Sequence, residues 1–255
     1  MNAPLNAPSN APLLQTKDLQ LAFGAVVVAD HIDFTLHAGE RLAVIGQNGA
    51  GKTTFINICT GLIRPQAGEV FFEGRPVTGM EPREIARRGM VRSFQLPQLF
   101  NEHTVRDCVR IAAAGKRNRL SVWTALQNAV DADAIDHVLE MVGLIDRADE
   151  ISSALPEGQR KLLDIAMALV MQPRLLILDE PTSGVSSEEK HGLMATIMRA
   201  LDEQQVSAIF VEHDVDIVSQ YATRVAAWIA GRIAADGPPA EVLANAEIRA
   251  NVIGE

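Results

Sequence analysis

Hydrophobic residues in this chain fall into short runs that are separated by glycine or proline. The first runs, over residues 14–39, alternate apolar with polar positions, which is typical of strands with one exposed face. The next run, over residues 40–46, contains four consecutive apolar residues and predicts a strand buried on both faces. The sequence therefore predicts an antiparallel layer that leads into a buried strand.

The hydrophobic spacing becomes helical between about residues 94 and 155, and we predict a helical subdomain at about 95–165. Beyond it the patterns alternate: a helix over 159–172 that ends before Pro173, a buried strand over 174–180, a helix over 186–204 and a buried strand over 206–214. Alternating strands and helices predict an α/β fold with a parallel sheet covered on both faces.

A glycine-rich segment joins the buried strand at 40–46 to a helix that we expect to end near Arg64 and Pro65. The segment fits the pattern G-x-x-x-x-G-K-[ST] of a phosphate-binding loop. Its backbone N–H groups and the helix N-terminus would converge on phosphate oxygens, with the lysine on the β and γ phosphates and a hydroxyl on Mg²⁺. The predicted nucleotide-binding residues are Gly46, Gln47, Asn48, Gly49, Ala50, Gly51, Lys52, Thr53 and Thr54.

The buried strand predicted over 174–180 ends in two carboxylates. Asp179 and Glu180 stand at its carboxyl end, which is where ligands of open α/β sheets gather. Together with the phosphate loop, this pair predicts an ATPase in which Asp179 holds Mg²⁺ through water and Glu180 deprotonates the attacking water.

Composition narrows the class of protein. With 47% hydrophobic and 22% charged residues in 255, the chain should fold. Its formal net charge of −9 argues against nucleic acid as a main ligand. We find no signal peptide and no run long enough to span a bilayer, and we expect Cys59 and Cys108 to be buried free thiols. The triplet Asn-Ala-Pro occurs three times within residues 1–13, which we interpret as a flexible tail.

The order of LPEGQRKLLDIAMAL, RLLILDEPTSG and IFVEHD resembles the nucleotide-binding domain of ABC transporters over residues 14–255. The resemblance implies a P-loop NTPase core with a parallel sheet, an N-terminal antiparallel β layer and a helical insertion. It also implies ATP and Mg²⁺ as ligands. By this resemblance Gln95 contacts Mg²⁺ and senses the membrane partner, His213 contacts the γ-phosphate, and Phe23 stacks on adenine.

The chain departs from the family pattern in two segments. The signature, usually Leu-Ser-Gly-Gly-Gln, is Leu155-Pro156-Glu157-Gly158-Gln159, and the family uses it to bind ATP held by the opposite subunit. We expect Leu155, Gly158 and Gln159 to keep that contact and Glu157 to point away from the phosphate, toward solvent or a membrane partner. The D-loop, often Ser-Ala-Leu-Asp, is Ser183-Gly184-Val185-Ser186, so its usual aspartate is absent.

The segment RSFQLPQLFNEHTVRDCV and the residues after GRIAADG are similar to those of ATPases for branched-chain or hydrophobic amino-acid import. The ATPases of urea or short-amide importers and the lipopolysaccharide-export ATPase have many of the same sequence motifs, and they stay open as alternatives. Two further alternatives are a weakly hydrolysing regulatory ABC ATPase and an ABC ATPase of translation or DNA repair, although the paired cassettes of the latter are not visible.

The resemblance also implies partners and a location. The expected partners are two transmembrane permease subunits, a second ATPase subunit, and a periplasmic or extracellular substrate-binding protein. The ATPase is then peripheral to the cytoplasmic face of the inner or plasma membrane. By the same resemblance, the ATPase subunit does not touch the cargo.

Overall fold

The computed structural model describes residues 11–93, 99–116 and 131–253, which form two sheets flanked by helices. The strands are β1 Leu14–Phe23, β2 Val26–Leu36, β3 Arg41–Gly46, β4 Ala67–Phe72, β5 Arg75–Pro76, β6 Met90–Ser93, β7 Leu175–Asp179, β8 Ser207–Val211, β9 Arg224–Ile229 and β10 Arg232–Gly237. The helices are α1 Lys52–Cys59, α2 Pro82–Arg88, α3 Val105–Lys116, α4 Ala132–Met141, α5 Glu157–Leu169, α6 Ser187–Glu203, α7 Val215–Tyr221, α8 Pro239–Ala244 and α9 Ala246–Ile248. A π-helical turn, Arg249–Ile253, follows α9.

The smaller sheet is antiparallel, with strand order β2-β1-β4-β5. Leu14 pairs with Leu36 of β2 on one side and with Phe72 of β4 on the other. This sheet confirms the antiparallel layer expected from the alternating pattern. The sequence analysis did not identify its other two strands, β4 and β5.

The larger sheet has the order β10-β9-β3-β8-β7-β6, and its first five strands in sequence, from β3 to β9, run parallel. Only β10 is antiparallel, to β9. Every residue of β7 and β8 is buried, as expected for strands covered on both faces. The carboxyl ends of β3, β7 and β8 therefore meet at one edge of the sheet. The phosphate loop and the Asp179–Glu180 pair lie at this edge.

Alternate residues of the central strands enter two different hydrophobic clusters. On one face Leu178 and Phe210 pack with the helices, and on the other Ile177 and Ile209 pack toward the antiparallel sheet. Since successive side chains of a strand point to opposite faces, one sheet lines both clusters.

Helix α1 ends earlier than the sequence analysis expected. It stops at Cys59 rather than near Arg64 and Pro65. The N–H of Thr60 still bonds to the Ile56 carbonyl, and Gly61 then takes a left-handed conformation with φ of 77°. A glycine in this conformation ends helices without the steric cost of a β-carbon, so the chain turns before the proline.

Cys59 and Cys108 are buried and free, which confirms the prediction for both thiols. Burial raises the pKa of each thiol above its ordinary value. Among the described helices, none is long and apolar enough to cross a membrane. The described part of the predicted helical subdomain contains α3, α4 and the start of α5, and its boundaries stay a prediction.

Candidate functional site

The glycine-rich loop lies between the end of β3 and the start of α1. Gly51 has φ of 105°, and a β-carbon placed on it would lie 2.3 Å from the carbonyl oxygen of Val28. Only glycine fits such a position, so the loop packs directly on β2 of the antiparallel sheet. This packing leaves the first-turn N–H groups of α1 at the loop, without carbonyl partners from a preceding turn.

The side chain of Lys52 is buried and folds back over the loop. Its ammonium donates to the carbonyl oxygens of Gly46 at 2.5 Å and Gln47 at 3.0 Å. Burial lowers the pKa of Lys52, while the nearby carboxylates of Glu180 and Asp179 act in the opposite direction. The structure thus brings the loop lysine and both strand-end carboxylates into one electrostatic site.

Asp179 ends β7 with a nearly buried carboxylate. Its Oδ2 accepts a hydrogen bond from Arg92 of β6 at 2.5 Å, with 8% of the Arg92 side chain and 9% of the Asp179 side chain exposed. Arg92 also donates to the side chain of Asn57 in α1. The sequence analysis missed Arg92, although a charged residue inside a strand of otherwise apolar character was a visible signal.

Glu180 follows Asp179 in a left-handed conformation, with φ of 51°. A non-glycine residue there costs on the order of 1–3 kcal/mol, so the surrounding structure must hold it. Its N–H donates to the carbonyl of Val211, and its carboxylate Oε1 lies 3.2 Å from Nε2 of His213. The predicted catalytic pair is therefore in contact across the ends of β7 and β8.

His213 is placed by its neighbours at the end of β8. The preceding Glu212 is buried and accepts hydrogen bonds from the N–H and hydroxyl of Thr182, at 3.0 and 2.8 Å. The following Asp214 caps α7 and pairs with Lys190 at 3.1 Å. These contacts fix the segment on both sides of His213, and the role of Glu212 was not predicted.

Phe23 is the last residue of β1, in the hairpin with β2, and 54% of it is exposed. Val28 of the same hairpin contacts Gly51, so the hairpin lies beside the phosphate loop. An exposed aromatic ring at this position is available for stacking, whereas the usual place of an aromatic at a strand end is in the core.

The signature residues lie at the start of α5. Leu155 is buried, Gly158 has open space where a β-carbon would stand, and Gln159 Oε1 is buried without a hydrogen-bond partner among the described residues. The exposed Glu157 turns toward the D-loop of the same chain, since a β-carbon on Gly184 would lie 2.2 Å from its Oε1. Gln95 lies outside the described residues, and its predicted role stays a prediction.

The residues present fit a nucleoside triphosphate. The loop offers N–H groups at a helix N-terminus together with a buried cation, both suited to phosphate. Thr53, exposed in the first turn of α1, and Asp179 offer oxygen ligands. Among the described residues, no group of three or more His, Cys, Asp or Glu side chains is arranged to hold a metal ion by itself. Mg²⁺ is commonly held by one or two protein ligands, with phosphate and water completing its coordination.

A phosphate loop, two strand-end carboxylates, a histidine beside them and a signature helix on this sheet define a nucleotide hydrolase of the ATP-binding cassette class. The family model described as ABC transporter matches residues 29–183. The chain belongs to this family and is an ATP-hydrolysing, ATP-binding subunit of an ABC transporter. The predicted fold class is thereby confirmed.

Several relatives align over nearly their whole length. A probable branched-chain amino acid transport ATP-binding protein, LivG, from Archaeoglobus fulgidus is 35% identical over 241 residues, covering 92% of this chain and 93% of that protein. The high-affinity branched-chain amino acid transport ATP-binding protein LivG of Salmonella typhimurium is 32% identical, with 96% and 98% covered. The corresponding protein BraF of Pseudomonas aeruginosa is 30% identical, with the same coverage.

Solved structures agree with these relatives. The ADP conformation of MJ1267, an ATP-binding cassette of an ABC transporter, matches with a TM-score of 0.80 and 28% identity over 96% of this chain and 99% of that one. CbiO1 from Clostridium perfringens, part of the ABC transporter complex cbiONQ, gives 0.81 and 27% over 94% and 93%.

Proposed function

We propose that this chain binds MgATP at its phosphate loop, dimerises around two ATP molecules and hydrolyses them to drive import of branched-chain or other hydrophobic amino acids. The observation that supports hydrolysis best is the contact of Glu180 with His213 at the end of the sheet, 3.2 Å apart. This contact supports Glu180 as the base, because the same carboxylate also acts on the ammonium of the phosphate-loop lysine.

Each described residue has a role in this proposal. Lys52 turns from the loop carbonyls to the β and γ phosphates, where a charge-assisted hydrogen bond is stronger than one to a neutral carbonyl. Glu180 accepts a proton from the attacking water, and His213 hydrogen-bonds the γ-phosphate. Phe23 stacks on the base, which its exposure beside the loop permits.

Thr53 and Asp179 would hold Mg²⁺, together with Gln95 by family resemblance. The ion would supply charge neutralisation at the β and γ phosphates. The Asp179 carboxylate already accepts a hydrogen bond from Arg92. Its interaction with the ion is therefore best made through water, so that the Arg92 contact is kept.

Dimerisation follows from the signature segment. Leu155, Gly158 and Gln159 are placed at a helix N-terminus, which favours the anionic γ-phosphate of the ATP held by a second ATPase subunit. Gly158 has the open space that a close approach requires.

The remaining partners follow from the relatives. Three of them, aligned over more than nine-tenths of their length, are described as branched-chain amino acid transport proteins. By analogy the chain works at the cytoplasmic face of the membrane, with two permease subunits and a substrate-binding protein. This support favours amino acids over the urea, amide and lipopolysaccharide alternatives.

Glu180→Gln tests the hydrolytic role. It removes the base while keeping the shape of the side chain, so we expect ATP affinity to stay and turnover to fall on the order of 10²- to 10⁴-fold. The ATP-bound dimer should then accumulate in size-exclusion chromatography. Glu69→Gln, an exposed position on β4, is the control and should leave turnover unchanged. Normal turnover in Glu180→Gln would move the base elsewhere, with His213 the first candidate.

The cargo needs a separate experiment. The chain would be reconstituted with the permeases encoded beside it in vesicles that contain ATP, and uptake of leucine, isoleucine and valine compared with that of urea. We expect saturable uptake of the amino acids through the binding protein, and none in the Glu180→Gln variant. ATP-driven uptake of urea alone would replace the amino-acid cargo and leave the ATPase assignment intact.

A further inference from the structure

Lys161 lies on the buried face of α5, directly behind the signature segment. It shares a stripe with Ile165 and Ala168, at the helical spacing of core positions, and only 5% of it is exposed. Its ammonium donates to the main-chain carbonyl of Glu180 at 3.3 Å. A buried lysine is expensive unless its charge and its donors have partners, so this contact calls for a role.

The carbonyl that Lys161 contacts belongs to the residue with the strained backbone. Glu180 is left-handed, and three hydrogen bonds involve its peptide groups. Its N–H donates to Val211, while its carbonyl accepts from the N–H of Ser183 at 3.1 Å and from Lys161. The bond to Val211 joins Glu180 to β8, and the bond from Ser183 closes the turn that follows β7. Lys161 supplies the side-chain contact, and it comes from the helix that begins with the signature.

Acidic residues surround Lys161 on several elements. Glu157 and Asp164 lie one turn away on α5, while Glu180 and Glu212 stand at the ends of β7 and β8, and all four act on the ammonium. Burial lowers the pKa of Lys161, and these carboxylates oppose that effect.

Glu157, on the same helix, contacts the D-loop that follows Glu180 in sequence. Its carboxylate lies against the α-carbon of Gly184 in the D-loop. The first two turns of α5 thus contact Glu180 through Lys161 and the D-loop through Glu157. A displacement of α5 would change both contacts.

We infer that Lys161 is a positioning residue for ATP hydrolysis: it holds the peptide of Glu180 so that the carboxylate faces His213, and it makes that orientation depend on the position of the signature helix. The inference rests on the proposed function, in which Glu180 is the base. It gives the chain an intramolecular route from the signature segment to the catalytic carboxylate, through a single side chain.

The test uses the full chain with Lys161→Met, which keeps the length of the side chain but removes its charge and its donors. Lys161→Gln keeps a donor, and Lys161→Arg keeps the charge. We expect Lys161→Met to lower kcat on the order of 10- to 100-fold, the range for losing a hydrogen bond to a charged group. The Kd of a fluorescent ATP analogue should change less than about threefold, and Lys161→Gln or Lys161→Arg should restore part of kcat.

A double-mutant cycle separates positioning from a structural role. Single-turnover hydrolysis is measured for Lys161→Met, Glu180→Gln and the double variant. If Lys161 acts through Glu180, its substitution causes no further loss once the carboxylate is gone. An equal loss in both backgrounds, or lost ATP binding in all three Lys161 variants, overturns the inference.

The failure of each idea is distinguishable. An inactive Glu180→Gln beside a fully active Lys161→Met overturns the role of Lys161 alone. Normal hydrolysis by Glu180→Gln overturns the assignment of the base, and the positioning role with it. If Lys161→Met does not fold, Lys161→Gln and Lys161→Arg carry the same cycle.

Discussion

The guanidinium of Arg92 is hydrogen-bonded to the carboxylate of Asp179 at 2.5 Å, and each side chain is more than nine-tenths buried. The two residues stand on neighbouring strands, so the pair joins β6 to β7, the strand that leads to Glu180. A buried ion pair of this kind adds little compared with an apolar pair, but it is costly to break from one side.

Arg92→Met should therefore destabilise the fold by about 3–5 kcal/mol, because it leaves the Asp179 charge buried without this partner. Urea denaturation measures the change in the free energy of unfolding. The control is Arg41→Met, since Arg41 pairs with Asp202, which is 62% exposed, and an exposed pair contributes at most about 1 kcal/mol. Equal losses in the two variants would show that the Arg92 pair has no special weight.

Lys52→Met should weaken ATP binding on the order of 10- to 100-fold, because a charge-assisted contact to phosphate is lost. Isothermal titration with ATP measures the affinity. Lys17→Met is the matched control, because Lys17 lies over the ring of Phe71 in the antiparallel sheet. Unchanged affinity and turnover in Lys52→Met would rule out the phosphate-loop assignment.

Gly51→Ala should reduce both stability and ATP binding, since the new methyl group would meet the Val28 carbonyl in a left-handed backbone. We expect a loss of at least about 1–3 kcal/mol in urea denaturation. Gly192→Ala is the contrasting variant, because its methyl group would meet no atom within 4 Å in the middle of α6. That change should raise stability by about 0.5–1 kcal/mol. Two variants of equal stability would contradict the close packing at Gly51.

The altered signature gives a fourth prediction. A carboxylate about 4 Å from the γ-phosphate would cost roughly 4 kcal/mol at an effective dielectric near 20, nearly a thousandfold in dimer formation. Because Glu157 instead lies against Gly184, Glu157→Gly should change ATP-driven dimerisation little. Gly158→Asp should abolish it by placing bulk and charge at the open position.

Both signature variants are to be compared in a Glu180→Gln background, where the dimer persists, by size-exclusion chromatography with ATP. A large gain from Glu157→Gly would mean that its side chain faces phosphate in the dimer. The chain would then be a slow or asymmetric partner in its transporter.

The sequence was sufficient for the features that depend on local pattern. Runs of apolar residues predicted the buried strands β7 and β8, and the helix expected over 186–204 is α6, Ser187–Glu203. The order of motifs along the chain also placed Lys52, Asp179, Glu180 and His213 at one edge of the sheet. The strands and the helix need only periodicity, and the rule that parallel strands end together brings Asp179 and Glu180 to that edge. Lys52 came from the phosphate-loop motif, and His213 from the family resemblance.

Contacts between distant residues could not be predicted in this way. Arg92 and Asp179 are 87 positions apart, and no periodicity indicates which strand end a buried arginine will meet. Lys161 occupies a core position of a helical pattern, which indicates a buried lysine. The pattern does not indicate that its partner is the main-chain carbonyl of Glu180. Glu157 was expected to face solvent or a membrane partner, and it is exposed but lies on the D-loop.

The alternation of buried residues along β7 and β8 has a consequence for how the chain can be divided. Leu178 and Phe210 line one hydrophobic cluster, while Ile177 and Ile209 line the other. Each of the two strands therefore contributes side chains to both clusters. A fragment ending before Leu175 would keep the phosphate loop after β3, but it would lack β7 and β8, which contribute to both hydrophobic clusters. We therefore expect the phosphate loop and the carboxylates of Asp179 and Glu180 to belong to one cooperative folding unit, so that a fragment ending before Leu175 would not keep the nucleotide site.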